Sequence, residues 1–134
     1  MSAFTVEMQS RPGELARLCE AMAGGKINMI LSAVTDGDRG TVAFVVDDEQ
    51  AARTALDEAG IDFRERPAVT VRMDNLPGTG AVAFRRLADA GVNLELLLPV
   101  QVSPQEFYAV LCVDDAESAY AALRDYVVGE RDFS

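Results

Sequence analysis

Two Pro-Gly pairs, Pro12-Gly13 and Pro77-Gly78, each close an alternating apolar stretch and open directly into a helical pattern. The first turn of a helix leaves backbone N–H groups without intrahelical partners, and the helix dipole adds partial positive charge there. Glycine at that point carries no side chain to block an approaching group, and proline needs no N–H partner of its own. Such an opening suits a carboxylate. The same pair also makes a sound strand-to-helix turn with no ligand at all. What sets the ligand reading beside that plainer one is repetition at a constant spacing to an asparagine, Asn28 after the first pair and Asn93 after the second.

Each asparagine can cap its own turn, or face the loop of the other copy. Arg11 and Leu76 hold the same place in the two loops, so any two pockets built there differ. One would have a cation to meet an acidic side chain or phosphate, the other an apolar wall; a solvated surface arginine is the simpler account of Arg11. Asp36, Gly37 and Asp38 resemble a fragment of a calcium loop, but the other ligand positions are missing and a solvated hairpin is expected. Glu7, Arg72 and Glu95 on a sheet surface are the only candidates for an enzyme, and their pattern implies no reaction. The three tyrosines, Tyr108, Tyr120 and Tyr126, read as packing residues. The chain has no histidine, the side chain best suited to proton transfer at neutral pH. Cys19 and Cys112 are not spaced for zinc, an iron–sulfur cluster or a disulfide, and read as two buried, reduced thiols. Neither a metal nor a cofactor is expected.

The elements that must position these residues also come twice. Residues 6–28 match 71–93 at an offset of 65, and 47–56 match 114–123 at an offset of 67. In the first copy Phe4, Val6 and Met8 alternate as a half-buried strand. A helix comes next, from Glu14, with Leu15, Leu18, Cys19 and Met22 inward, stopped by Gly24 and Gly25. Residues 27–34 and 41–46 read as strands about a polar turn. Asp47-Asp48 then caps a helix with Ala52, Ala55, Leu56 and Ala59 inward, and residues 61–65 form a last short strand. The second copy repeats this order, with Ala81, Phe84, Leu87 and Ala88 inward on its first helix and Ala119, Ala122, Leu123 and Tyr126 on its second. Its second strand is read over 92–100 and its closing strand is short, at Val127-Val128. The order β-α-β-β-α-β, twice, predicts an α+β fold of two ferredoxin-like units at 1–66 and 67–134, each a four-stranded antiparallel sheet with two helices on one face.

Composition narrows the partners. The 134 residues are 49% hydrophobic with a net charge of -10, and each half is acidic: seven basic against twelve acidic residues in 1–66, five against ten in 67–134. No basic stretch exists for a nucleic-acid backbone, and an acidic surface is repelled by anionic membranes. No signal peptide or spanning segment is read, so a cytoplasmic protein is expected. Each copy is near the size at which a lone core is marginal, so packing together or dimerisation is expected.

Taken in order, strand, Ser/Asn-x-Pro-Gly, helix, an Ile/Val-Asn strand start, hairpin, strand and Asp-Asp helix, the chain resembles the ACT domain, as a tandem pair over nearly its whole length. Lys26-Ile27-Asn28-Met29 and Gly91-Val92-Asn93-Leu94 stand for the family's Gly-Ile-Asn-Ile stretch. The resemblance implies a small regulatory module that binds an amino acid at a domain–domain interface. It assigns the ligand to Ser10, Arg11, Pro12, Gly13 and Asn28 in the first copy, and to Asn75, Leu76, Pro77, Gly78 and Asn93 in the second. Ser10 departs from the family's Asn and Lys26 from its Gly, while Gly80 stands where the first copy has Leu15. With no catalytic domain attached, the resemblance implies a non-enzymatic protein, expected as a homodimer, that acts on a separate metabolic enzyme. The alternative is a dimerising scaffold whose pockets stay empty.

Overall fold

A computed structural model describes residues 1–129. The chain divides into two compact units, one of Ser2–Arg66 and one running on from Pro67 that also takes in Met1. In the first unit the elements are β1 (Ser2–Gln9), α1 (Glu14–Gly24), β2 (Met29–Asp36), β3 (Arg39–Val46), α2 (Glu49–Glu58) and β4 (Arg64–Pro67). In the second they are β5 (Val69–Asp74), α3 (Thr79–Asp89), β6 (Leu94–Val102), β7 (Glu106–Val113), α4 (Ala116–Ala122) and β8 (Val127–Val128). Each unit forms one four-stranded antiparallel sheet, ordered β2-β3-β1-β4 and β6-β7-β5-β8. The β-branched run of β3 is therefore interior, as its apolar sequence requires.

Strand alternation decides which side chains meet the helices. Phe4, Val6, Val42, Phe44 and Val46 pack with Leu18, Met22, Ala52 and Leu56 in the first core. Phe4 and Phe44, directly paired across β1 and β3, stack with ring centroids 5.4 Å apart. The second core sets Val71, Met73, Ala109 and Leu111 against Ala83, Leu87, Ala119 and Leu123. The opposite sheet faces are apolar too: Ala3 and Val45 are buried in the first unit, and Leu98, Val110 and Cys112 in the second.

Several expectations from the sequence shift. Cys112 is buried, but Cys19 is exposed; it lies a position to the side of Leu18, the residue that points into the core. Leu15 is likewise 39% exposed rather than inward. On α3 the buried residues are Ala83 and Leu87, with Ala81 and Ala88 exposed. Tyr120 stands half out, at 50% exposure, whereas Tyr108 and Tyr126 are partly buried. The second strands begin two residues later than expected, at Met29 and Leu94, and β6 runs on to Val102. β4 begins at Arg64; residues 61–63 lie outside any strand, the Ile61 N–H still closing α2 on Leu56 O at 2.9 Å.

Helix ends explain one of these differences. After α1 the left-handed residue is Lys26, φ 56, not Gly24 or Gly25. The Ile27 N–H donates to Met22 O at 3.0 Å and the Lys26 N–H to Ala23 O at 3.0 Å, a Schellman closure. The ends of α2 and α3 close the same way with glycine in that place, Gly60 at φ 68 and Gly91 at φ 73.

Candidate functional site

Both Pro-Gly loops fold into one local structure. The Glu14 N–H reaches Arg11 O at 3.4 Å and the Thr79 N–H reaches Leu76 O at 3.3 Å, across Pro12-Gly13 and Pro77-Gly78. Gly13 sits at φ 92, ψ -15 and Gly78 at φ 91, ψ -12. Proline second and left-handed glycine third define a type II turn, and this conformation is what requires glycine there. A Cβ on either glycine would meet nothing within 4 Å, so no residue beyond the chain neighbours crowds either glycine.

Each turn leads into an uncapped helix. Neither α1 nor α3 has a side-chain cap hydrogen bond at its N-cap. Among the described residues the amides of Leu15 and Ala16, and those of Gly80 and Ala81, have no hydrogen-bond acceptor. The second helix of each unit is different: Asp48 accepts from the Ala51 N–H at 3.0 Å, and Asp115 from the Ser118 N–H at 3.1 Å. The hydrogen bond from the Ser118 hydroxyl, then that from its amide, holds the Asp115 carboxyl below the usual aspartate value.

The surroundings of the two openings differ. In the first, the Arg11 Nε donates to Glu14 Oε1 at 2.6 Å, placing a carboxylate and its counterion beside the first turn. In the second, no acidic residue lies in the first turn and Leu76 is 65% exposed. Asn75 is committed to structure, its Nδ2 donating to Ser103 O at 2.7 Å and its N–H to Gln105 O at 2.9 Å. Ser10 keeps only the backbone equivalent, its N–H to Asp38 O at 2.8 Å.

The asparagines lie elsewhere. Gln9 and Asp36 both pair with Arg39, so the Ser10–Gly13 loop shares its end of the sheet with the close of β2. Asn28 sits at the other end, just before the Met29–Val46 pair. There its N–H and Nδ2 donate to the two carboxylate oxygens of Asp47 at 3.1 and 3.3 Å, and its carbonyl accepts from the Asp47 N–H. Asn93 repeats the backbone part with Asp114: its N–H donates to Asp114 Oδ1 at 2.9 Å and its carbonyl accepts from the Asp114 N–H at 3.2 Å. Within each unit, then, loop and asparagine are not brought together. The Asp-Asp pair, expected to serve together as a helix cap, divides its work: the first aspartate pins the start of the second strand, and only the second caps the helix.

Sequence periodicity does not reveal a pocket beside the start of α1. It holds about 210 Å³, and its polar lining comes from Glu7, Glu14, Arg17 and Asp62 above Met8 and Leu18. Arg17 is fixed there by donating to Ala59 O at 2.7 Å. None of the ten loop and asparagine residues lines it; its signal in the sequence is the charged spacing Glu14 and Arg17 on the first turn, which periodicity alone marks as solvent-facing. Arg72, the candidate cation of the second sheet, is ion-paired to Glu106 and lies 3.7 Å from Asp74. Its hydrogen bond with Glu106 raises its pKa further above the arginine value. Among the described residues no group of three His, Cys, Asp or Glu is placed to hold a metal, and no helix is long and apolar enough to cross a membrane.

Comparison with known proteins gives a consistent result. A family model described as an ACT domain pair matches residues 1–125. The fold is similar to a crystal structure of a protein from Bacteroides thetaiotaomicron, with TM-score 0.83, 19% identity and coverage of 95% of this chain and 90% of that one. It is also similar to the regulatory subunit of aspartate kinase from Thermus thermophilus in its ligand-free form, with TM-score 0.70, 25% identity and coverage of 92% and 87%. The regulatory subunit of aspartate kinase from Thermus flavus gives TM-score 0.65, 27% identity and the same coverage, 92% and 87%. No curated protein sequence matches the chain.

Proposed function

We propose, from the premise that this chain belongs to the ACT domain pair family, that it is a non-catalytic regulatory protein binding a small amino acid and modulating a separate metabolic enzyme. The observation that carries this is the pair of helix openings behind Gly13 and Gly78 that no side chain caps, each entered through a glycine with no residue beyond its chain neighbours within 4 Å of its Cβ position. A ligand carboxylate there accepts from the two idle amides of the first turn and gains from the helix dipole. The similarity to two aspartate kinase regulatory subunits, at 25% and 27% identity, supports regulation as the role. The second opening is the better carboxylate site, because no side-chain anion competes there. In the first, Arg11 supplies a cation for a ligand with an acidic side chain. A homodimer completes the proposal, on the ground that each core is small.

Ligand binding controls a partner only through differential affinity for two states of the protein. The direct test is thermal unfolding against each of the twenty amino acids. A true ligand at about 100 times its Kd adds roughly 2.7 kcal/mol, a rise of several degrees. Gly78→Val should cancel that rise. An unmoved melting curve with every amino acid would sink the proposal and leave a ligand-free scaffold. That second reading is favoured at the first copy by Glu14, whose carboxylate already lies at the opening.

A further inference from the structure

The outer face of α1 and α2 carries a feature that neither the loops nor the cores use. A shallow trough of about 690 Å³ runs between the two helices of the first unit. Small residues line it: Ala21 and Gly24 from α1, Ala51 and Ala55 from α2. Three acids, Glu20, Asp48 and Glu58, stand along it and no basic residue does. Asp48 caps α2. Glu20 and Glu58 have no ion-pair partner among the described residues.

The internal repeat shows what such a trough accommodates. The counterparts of Ala21, Glu58 and Ala59, at offsets of 65, 67 and 67, are Arg86, Asp125 and Tyr126. In the second unit the Arg86 guanidinium lies over the Tyr126 ring, 5.2 Å from its centroid, and 3.4 Å from the Asp125 carboxylate. Beside α3, at the turn that follows α4, the protein thus supplies its own arginine to the carboxylate and the ring. Between α1 and α2 the carboxylate is kept, while the guanidinium and the ring that carries it are replaced by methyl groups. The vacated volume and the retained charge are complementary to an arginine brought from outside.

Shape sets the source of that arginine. The ten residues of α2 make a wall about 15 Å long, too long for one amino acid and the span of nearly three helical turns. Alanine and glycine floors let a second helix approach closely, since interaxial distance depends on the side chains at the contact. We propose that the α1–α2 trough is a docking surface for a basic, arginine-bearing helix of a partner protein. The net charge of -10 draws such a partner in, and the trough gives it a register. The proposal shares with the regulatory role only the existence of a separate partner. Amino-acid thermal shifts and helix docking involve different residues, so either can fail alone.

The test uses the whole chain and a fluorescein-labelled, alanine-rich helical peptide with arginines on one face, read by anisotropy. Saturable binding is expected. The double variant Glu20→Gln with Glu58→Gln should weaken it roughly tenfold, equivalent to about 1.4 kcal/mol. Ala21→Arg, which restores the arginine of the second unit, should abolish binding; Thr54→Arg does the same from an exposed position if Ala21→Arg melts early. Asp36→Asn with Asp38→Asn, on the β2–β3 turn, removes equal charge away from the trough and should leave affinity unchanged. An equal loss in that control would reduce the effect to bulk attraction and overturn the proposal. So would full competition by free arginine at the peptide's own concentration, or binding undiminished in both arginine variants. A wild-type dimer that Thr54→Arg splits would also overturn it, by giving the trough to a second copy of the chain.

Discussion

At Gly13 and Gly78 the backbones coincide, with φ of 92 and 91 and the same turn hydrogen bonds. The first opening nevertheless carries Glu14 and Arg11, where the second carries Thr79 and an exposed Leu76. Main-chain geometry has been held constant while the charge around it has changed. The type II turn fixes where the idle amides point, and it demands glycine for conformational reasons alone. The flanking side chains decide which anion can use those amides. A helix dipole satisfied by Glu14 in the first unit is left to solvent in the second.

The largest expected effect tests the shared half of that comparison. Gly13→Val and Gly78→Val each force a β-branched residue into the left-handed region, at a cost of about 2 kcal/mol. Calorimetry should find the two losses alike within about 0.5 kcal/mol, since no neighbour lies within 4 Å of either Cβ position. A markedly larger loss at one site would mean that the two turns are not equivalent. Asp48→Ala, which strips a helix start of the cap that α1 and α3 never had, should cost about 1 kcal/mol in urea unfolding.

The two α1-type helices also differ where they end. Lys26 occupies, at φ 56, the place that Gly91 fills at φ 73. Lys26→Gly relieves left-handed strain but adds freedom to the unfolded chain, for a net gain of about 0.5 to 1 kcal/mol. Gly91→Lys should lose a similar amount. Equal and opposite shifts in urea midpoint confirm that one motif closes both helices; a loss on Lys26→Gly would show that the lysine side chain contributes more than its backbone costs.

The repeat makes most of the fold legible, because periodicity and turn chemistry are local properties of sequence. Pro12-Gly13 and Pro77-Gly78 mark both helix starts, and Phe4, Val6 and Met8 trace the inward face of β1. Errors arise where one copy is read without the other. Adding 65 to Leu18 and Met22 gives Ala83 and Leu87, the residues that α3 buries, whereas α3 taken alone finds Leu87 but passes over Ala83 for the equally small Ala81 and Ala88, which size cannot tell apart. The apolar character of Cys19 suggests an inward position, yet its short side chain cannot reach round the helix to the core as the longer Phe84 at its counterpart partly does. The site is less legible. That Asn28 belongs to Asp47, and that Arg17 turns to Ala59 O, are tertiary facts fixed by strand order and by the α2–β4 connection.

Acid titration tests how far charge holds two other local contacts. The hydrogen bond from Arg53 lowers the Glu65 carboxyl below its ordinary value of 4.5, and Ser118 lowers Asp115 below 3.8. A folded pKa below the unfolded one contributes stability in full above the unfolded value, lost as pH falls through the folded one. The stability difference between wild type and Glu65→Gln should therefore be constant from pH 7 to about 5 and shrink to nothing below the folded pKa. A difference that persists undiminished at low pH would assign the effect to packing of the side chain instead of to its charge.

The smallest stability effect carries the sharpest information about ligands. Arg11 and Leu76 are both exposed, so Arg11→Leu and Leu76→Arg should each leave the melting temperature within the range of about 0.5 kcal/mol expected of surface changes. Their effect on ligand choice should be opposite. Leu76→Arg brings a cation to an opening that has no anion of its own, and should favour an acidic amino acid there over an apolar one. Arg11→Leu leaves Glu14 unneutralised beside the α1 amides, and should weaken every carboxylate ligand at that opening. If instead both variants bind the same amino acids as the parent with the same thermal shifts, the flanking side chains do not set specificity, and the two openings are functionally alike.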